Sequence, residues 1–215
     1  MPDNSPVTEF LDAIVNTGIQ GFGVLPSAEK VAEIHAENSP NTEAAIDSVI
    51  AWRSGYASIT GFLTGLGSVV TLPISIPASL LSCYALGANT AGAIAVLRGY
   101  ELKEDAVRTF ILLSILGEAG VEVLIKTVGA NASTKIAKNI IAQIPSKVLL
   151  EINRKVGIKL LSKTSEKSII NLTKIVPLVG GAFGAGMDSF YVNACGQTAK
   201  VLFKPMTVKN VNYQI

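Results

Sequence analysis

The chain has 215 residues, of which 49% are hydrophobic and only 16% charged, against about 25% charged in ordinary soluble domains. With a mean hydropathy of +0.45, that composition excludes a charge-rich soluble surface and places the chain between the soluble and membrane classes. The length suits one domain with a sizeable core, and the net charge of +2 conceals an uneven distribution. Residues 1–53 carry eight acids against two bases, a net of −6, while residues 135–174 carry nine bases against two acids, a net of +7. A basic block beside apolar segments suits an anionic membrane surface.

The start, Met1-Pro-Asp-Asn-Ser-Pro, is polar and lacks the basic and apolar regions of a signal peptide, so a cytoplasmic location is expected. Cys83 and Cys195 sit in apolar surroundings and read as buried thiols rather than a disulfide. From residue 7 to 17, Val7, Phe10, Leu11, Ile14 and Val15 recur at helical spacing. Gly18, Gly21, Gly23 and Pro26 then break the chain, and Ser27 is placed to cap a second helix running to Glu37. The third begins near Glu43, after Ser39-Pro40-Asn41-Thr42.

It feeds into the most unusual stretch of the chain. Between Arg53 and Arg98 lie 44 residues without a charged side chain. A bilayer-spanning helix needs about 20 apolar residues, so the run accommodates two, bent at Leu72-Pro73-Ile74-Ser75-Ile76-Pro77. Two prolines four residues apart do not fit a regular helix interior. The second arm is expected over about 78–97, with Gly99 as its C-terminal cap. The arms also carry many glycines, serines and an asparagine, too many for plain lipid anchors, and read better as a close-packed hairpin.

Residues 103–127 are predicted to form one or two helices, interrupted at Gly117 and Gly120. Helices are also expected over 134–144 and 146–162. The latter is amphipathic: Val148, Ile152, Val156 and Leu160 alternate with a polar series of Lys147, Glu151, Lys155, Lys159 and Lys163. A last helix is expected from Pro177 to about Phe203. No strand pattern is found, so the fold class is all-α: a single helical bundle with a long uncharged hairpin and a glycine-rich C-terminal helix.

Several motifs invite chemistry. His35 is the only histidine, flanked by Glu33 and Glu37, and reads as a surface residue; no HExxH, CxxC or G-x-S-x-G pattern accompanies it. Gly180-Gly-Ala-Phe-Gly-Ala-Gly186 lacks the ending of a phosphate loop. The four-residue spacing of Gly180 and Gly184 fits close helix packing instead, with Gly61 and Gly65 as counterparts on the first arm of the hairpin. Asp188 is a carboxylate in an apolar helix, which is costly unless paired. It reads either as a polar site inside the bundle, partnered by Arg53 or Arg98, or as a structural ion pair or water-facing residue. Arg98 and Tyr100 suit a helix C-terminus or a lipid interface. The stripe of Lys147, Arg154, Lys155, Lys159 and Lys163 suits lipid headgroups or a solvated face. A nucleic-acid surface would add aromatics, and none occurs in residues 111–182.

The segment Tyr56-Ala-Ser-Ile-Thr-Gly-Phe-Leu-Thr-Gly-Leu-Gly, the proline-flanked turn and Arg98-Gly99-Tyr100 together resemble the EcsC family of bacterial proteins. The basic Lys155-Val-Gly-Ile-Lys-Leu-Leu-Ser-Lys helix and Val176-Pro-Leu-Val-Gly-Gly181 with Gly184, Gly186 and Asp188 extend the resemblance, which covers roughly residues 45–203. Ser75 departs from it, standing where the family's turn usually carries an aspartate. The resemblance implies a helical, membrane-associated protein without a recognised catalytic motif. On this reading residues 1–44 form an acidic helical segment, 45–204 an EcsC-like domain and 205–215 a tail. The expected function is non-enzymatic, binding or inserting into an anionic bilayer at its cytoplasmic face, with a membrane protein as a second kind of partner. No cofactor, metal or nucleic acid is expected. The alternatives are a soluble bundle holding a lipid in an internal cavity, and a lipid-directed enzyme or membrane-perturbing effector.

Overall fold

The computed structural model describes residues 5–57, 78–129, 141, 144–162 and 185–205, with the backbone alone at 56–57, 78–79 and 185–188. Among these residues there are eight helices and no strand; a lone β-bridge joins Phe22 and Leu25. The helices are α1 (Pro6–Gln20), α2 (Ala28–Glu37), α3 (Thr42–Ala57), α4 (Ala78–Leu97), α5 (Asp105–Ile115), α6 (Glu118–Val128), α7 (Ser146–Ser162) and α8 (Ala185–Leu202). The all-α reading is thus borne out, with helix boundaries close to those expected. All but residues 141 and 144 of the predicted helix over 134–144, the first hairpin arm with Gly61 and Gly65, the proline turn, and the Gly180–Gly184 ridge lie outside the described residues.

Local chemistry sets the ends of these helices. The Ser5 hydroxyl accepts from the Thr8 amide, and the Ser27 hydroxyl from the Lys30 amide, so each N-terminus has an orphan donor satisfied by its cap. Asn41 does the same for α3 through the Ala44 amide. At the end of α4, Gly99 adopts φ +87°. Its amide donates to the Val96 carbonyl and the Tyr100 amide donates to the Ala95 carbonyl, the paired bonds of a Schellman cap. Gly117 (φ +64°) separates α5 from α6, so the expected single or double helix over 103–127 is double.

The organising element is α4, which packs against α1, α2, α3, α5 and α8. A helix wrapped on all sides needs apolar residues all round, which accounts for the absence of charge along it. Its small residues allow close approach: Gly92 faces the Ala28 side chain, Gly87 faces Cys195, and Gly18 of α1 lies against Ala85 and Ala88. Two of its polar residues bond to carbonyls within the bundle. Asn89 donates to the carbonyls of Gly18 (2.8 Å) and Pro26 (3.0 Å), pinning the α1–α2 connection to α4, and Thr90 donates to the Leu86 carbonyl. Residues 80–97 are long and apolar enough to cross a membrane, yet 78% of that stretch is buried inside the fold. In this fold α4 is a core helix.

The acidic N-terminal segment is built into the same bundle. α1 and α2 both rest on α4, and Phe10, Ile14 and Val31 belong to one continuous apolar core with Ile94, Phe110 and Phe203. Neither cysteine forms a disulfide; Cys195 is buried and Cys83 half-buried.

Candidate membrane-facing surface

α7 forms around an apolar stripe on one side. Leu149, Ile152, Val156 and Leu160 are buried against the bundle, where α7 packs on α1, α5 and α6. Gly157 sets the approach: a Cβ there would stand 2.3 Å from Val7. The opposite side faces solvent. Lys147, Glu151, Arg154 and Lys159 are exposed there, and so are two large aliphatic residues, Leu150 at 58% and Ile158 at 55%. Leu150, Arg154 and Ile158 are four residues apart and share a face; Lys147 stands one turn before them. The outer face is therefore cationic with apolar side chains between the charges. Lys155 is turned toward α6, donating to Glu151 (2.7 Å) and to the Thr127 hydroxyl (3.1 Å). Lys163 lies outside the described residues.

By sequence, α2 and α3 are net acidic. α2 and α3 pack on α4, and residues 28–57 hold five acids and two bases. One of those bases, Arg53, is fully buried, its guanidinium 4.7 Å from the centre of the Trp52 ring. α7 itself holds four bases and one acid.

The remaining candidate residues have other surroundings. Arg98 is buried and donates to both carboxylate oxygens of Glu43, with Nη2 at 3.0 Å from Oε2. Tyr100 donates to the Lys204 carbonyl (2.8 Å), and its ring packs on Phe203. Both side chains hold the ends of α3, α4 and α8 together. Asp188 lies in α8, its side chain outside the described residues, and Arg98 already has Glu43 as its partner. Among the described residues no cluster of three or more histidine, cysteine, aspartate or glutamate side chains is placed to hold a metal ion.

His35 is not a surface residue. It is 9% exposed, completing the buried series Ala28, Val31, Ala32, His35 at helical spacing. Its Nδ1 lies 2.9 Å from the Ser48 hydroxyl, and its ring meets Trp52 edge-on at 5.9 Å. Burial, and secondarily the positive charge of Arg53, pushes its pKa below the ordinary 6.5. Below pH 6.5 the unfolded chain takes up a proton that the folded state resists. Stability is therefore full above that pH and falls as pH drops toward the lowered folded value. Denaturant unfolding at stepped pH is expected to show this loss in the parent, and His35→Gln is expected to remove that component.

The fold and this surface define a class: an all-helical bundle around a buried apolar helix, with a cationic outer face on α7. Residues 6–205 match the model of the EcsC protein family, and the chain belongs to that family. The match bears out the resemblance read from the motifs and extends it upstream through α1 and α2. Over 158 residues the chain is 30% identical to "Uncharacterized protein YdbA" of Bacillus subtilis (strain 168). That alignment covers 71% of this chain and 53% of the relative, so the chain spans about half of the relative's length. No solved structure matches the chain.

Leu150 and Ile158 escape the sequence pattern, which sets Val148, Ile152, Val156 and Leu160 on one side of the helix and the Lys147–Lys163 series on another. A helical projection puts both on the Lys147–Arg154 side, but it does not say which side the bundle covers.

Proposed function

We propose that the protein is a non-enzymatic, membrane-associated member of the EcsC family that binds the cytoplasmic surface of an anionic bilayer as a folded bundle. The observation that carries this reading is the cationic outer face of α7, which holds four bases against one acid and exposes Lys147, Arg154 and Lys159. Such a molecule orients in the field of an anionic surface, where each nearby Lys or Arg contributes about 1 kcal/mol. The burial of α4 supports surface binding over insertion, because the one long apolar helix among the described residues has already satisfied its apolar surface with protein.

Fractionation tests the reading. At low salt the protein is expected in the membrane pellet and on vesicles containing phosphatidylglycerol. It is expected to be released as the Debye length contracts from about 10 Å at 0.1 M salt to about 3 Å at 1 M. A protein that stays in the supernatant at low salt and ignores such vesicles overturns the proposal. One that resists high salt and leaves the membrane only with detergent replaces surface binding by insertion.

A further inference from the structure

We infer that the outer face of α7 is the membrane footprint, with Leu150 and Ile158 entering the headgroup boundary while Lys147 and Arg154 bind lipid phosphates. This rests on the membrane-surface reading above and specifies where the lipid sits. One observation and one general property of cationic side chains favour lipid over other polyanions. Two large aliphatic side chains stand exposed on a single helix face, at 58% and 55%, with Arg154 between them along the stripe. A merely solvated face gains nothing by presenting them to water, and nucleic-acid phosphates offer no apolar layer to receive them. Lysine and arginine stems also lie along an apolar boundary while their charges reach outward. The α7 helix is anchored by its buried face. It therefore binds as a preformed ridge lying along the membrane plane. Lys155 contributes through its charge only, since Glu151 and Thr127 hold its ammonium toward α6.

Co-sedimentation with phosphatidylcholine vesicles, with and without phosphatidylglycerol, tests the footprint on the full chain. Lys147→Gln/Arg154→Gln is expected to lower partitioning about 25-fold, about fivefold for each cation. Leu150→Ser/Ile158→Ser is expected to lower it about tenfold or more. The control Lys30→Gln/Lys103→Gln makes the same change in net charge at exposed residues elsewhere and is expected to have a much smaller effect. All these positions are exposed, and unchanged thermal unfolding will verify that each variant folds. If the parent binds and the α7 variants bind like the control, the footprint is overturned while the membrane reading stands. If the parent binds no vesicle, both are overturned. If the parent binds random-sequence duplex DNA in preference to the anionic vesicles, the surface is a nucleic-acid one and the inference is likewise overturned.

Discussion

Gly120→Ala is expected to destabilise the protein by about 3 kcal/mol or more, and Gly18→Ala by a similar amount. Overpacking usually costs about 1–3 kcal/mol, and more where the neighbour cannot yield. A Cβ at Gly120 would stand 1.9 Å from the Leu113 carbonyl oxygen, a backbone atom at the end of α5. The turn there is held by the Leu116 amide donating to Leu113 and the Gly120 amide donating to Gly117, so relief requires moving one helix relative to the other. At Gly18 the added carbon would stand 2.4 Å from the Ala88 Cβ and 2.8 Å from the Ala85 carbonyl oxygen. That would push α1 off the central helix and stretch the Asn89 bonds that hold the α1–α2 connection. Gly55 is the internal control. It lies in α3 with open space where a Cβ would go, so Gly55→Ala should be neutral or stabilising by up to about 1 kcal/mol through helix propensity. Thermal and urea unfolding of the three variants measure the contrast; equal behaviour of Gly120→Ala and Gly55→Ala would show that the α5–α6 turn has room to adjust.

The Arg98–Glu43 pair is expected to respond asymmetrically. The Arg98 side chain is 6% exposed and that of Glu43 53%. Glu43→Ala leaves a guanidinium with little access to water and should cost about 2–3 kcal/mol. This is below the 3–5 kcal/mol typical of breaking a fully buried pair, because half of Glu43 is already solvated. Arg98→Met keeps the packed stem and leaves a carboxylate that water and Lys200 can serve; Lys200 lies 3.8 Å from Glu43 and is also paired with Asp47. Its expected cost is about 1 kcal/mol or less. The order of the two unfolding free energies is the test: a larger loss for Arg98→Met would mean that the arginine's charge, rather than its burial, dominates.

The helices of this protein were legible in the sequence because their signals are local. Ser27 caps α2, Gly99 ends α4 and Gly117 divides α5 from α6, each through bonds or dihedral angles confined to a few residues. The spacing of Phe10, Leu11, Ile14 and Val15 likewise marks a buried stripe wherever the partner lies. The candidate site was legible only in part. The basic character of α7 is a property of its composition. The exposure of Leu150 and Ile158 depends on where α1, α5 and α6 stand. His35 was misplaced on the surface because its flanking glutamates outweighed a helical spacing that pointed inward.

The uncharged run between Arg53 and Arg98 marks the division. The sequence by itself determined that α4 is a helix, that it cannot face water, and that its small residues admit close neighbours. Hydropathy reports the cost of contact with water and is blind to which apolar medium replaces it. Lipid and protein interior satisfy it equally, so only the tertiary structure decided that α1, α2, α3, α5 and α8 cover α4. The same structure turned Arg98 inward to Glu43 and left the outer ridge of α7 uncovered.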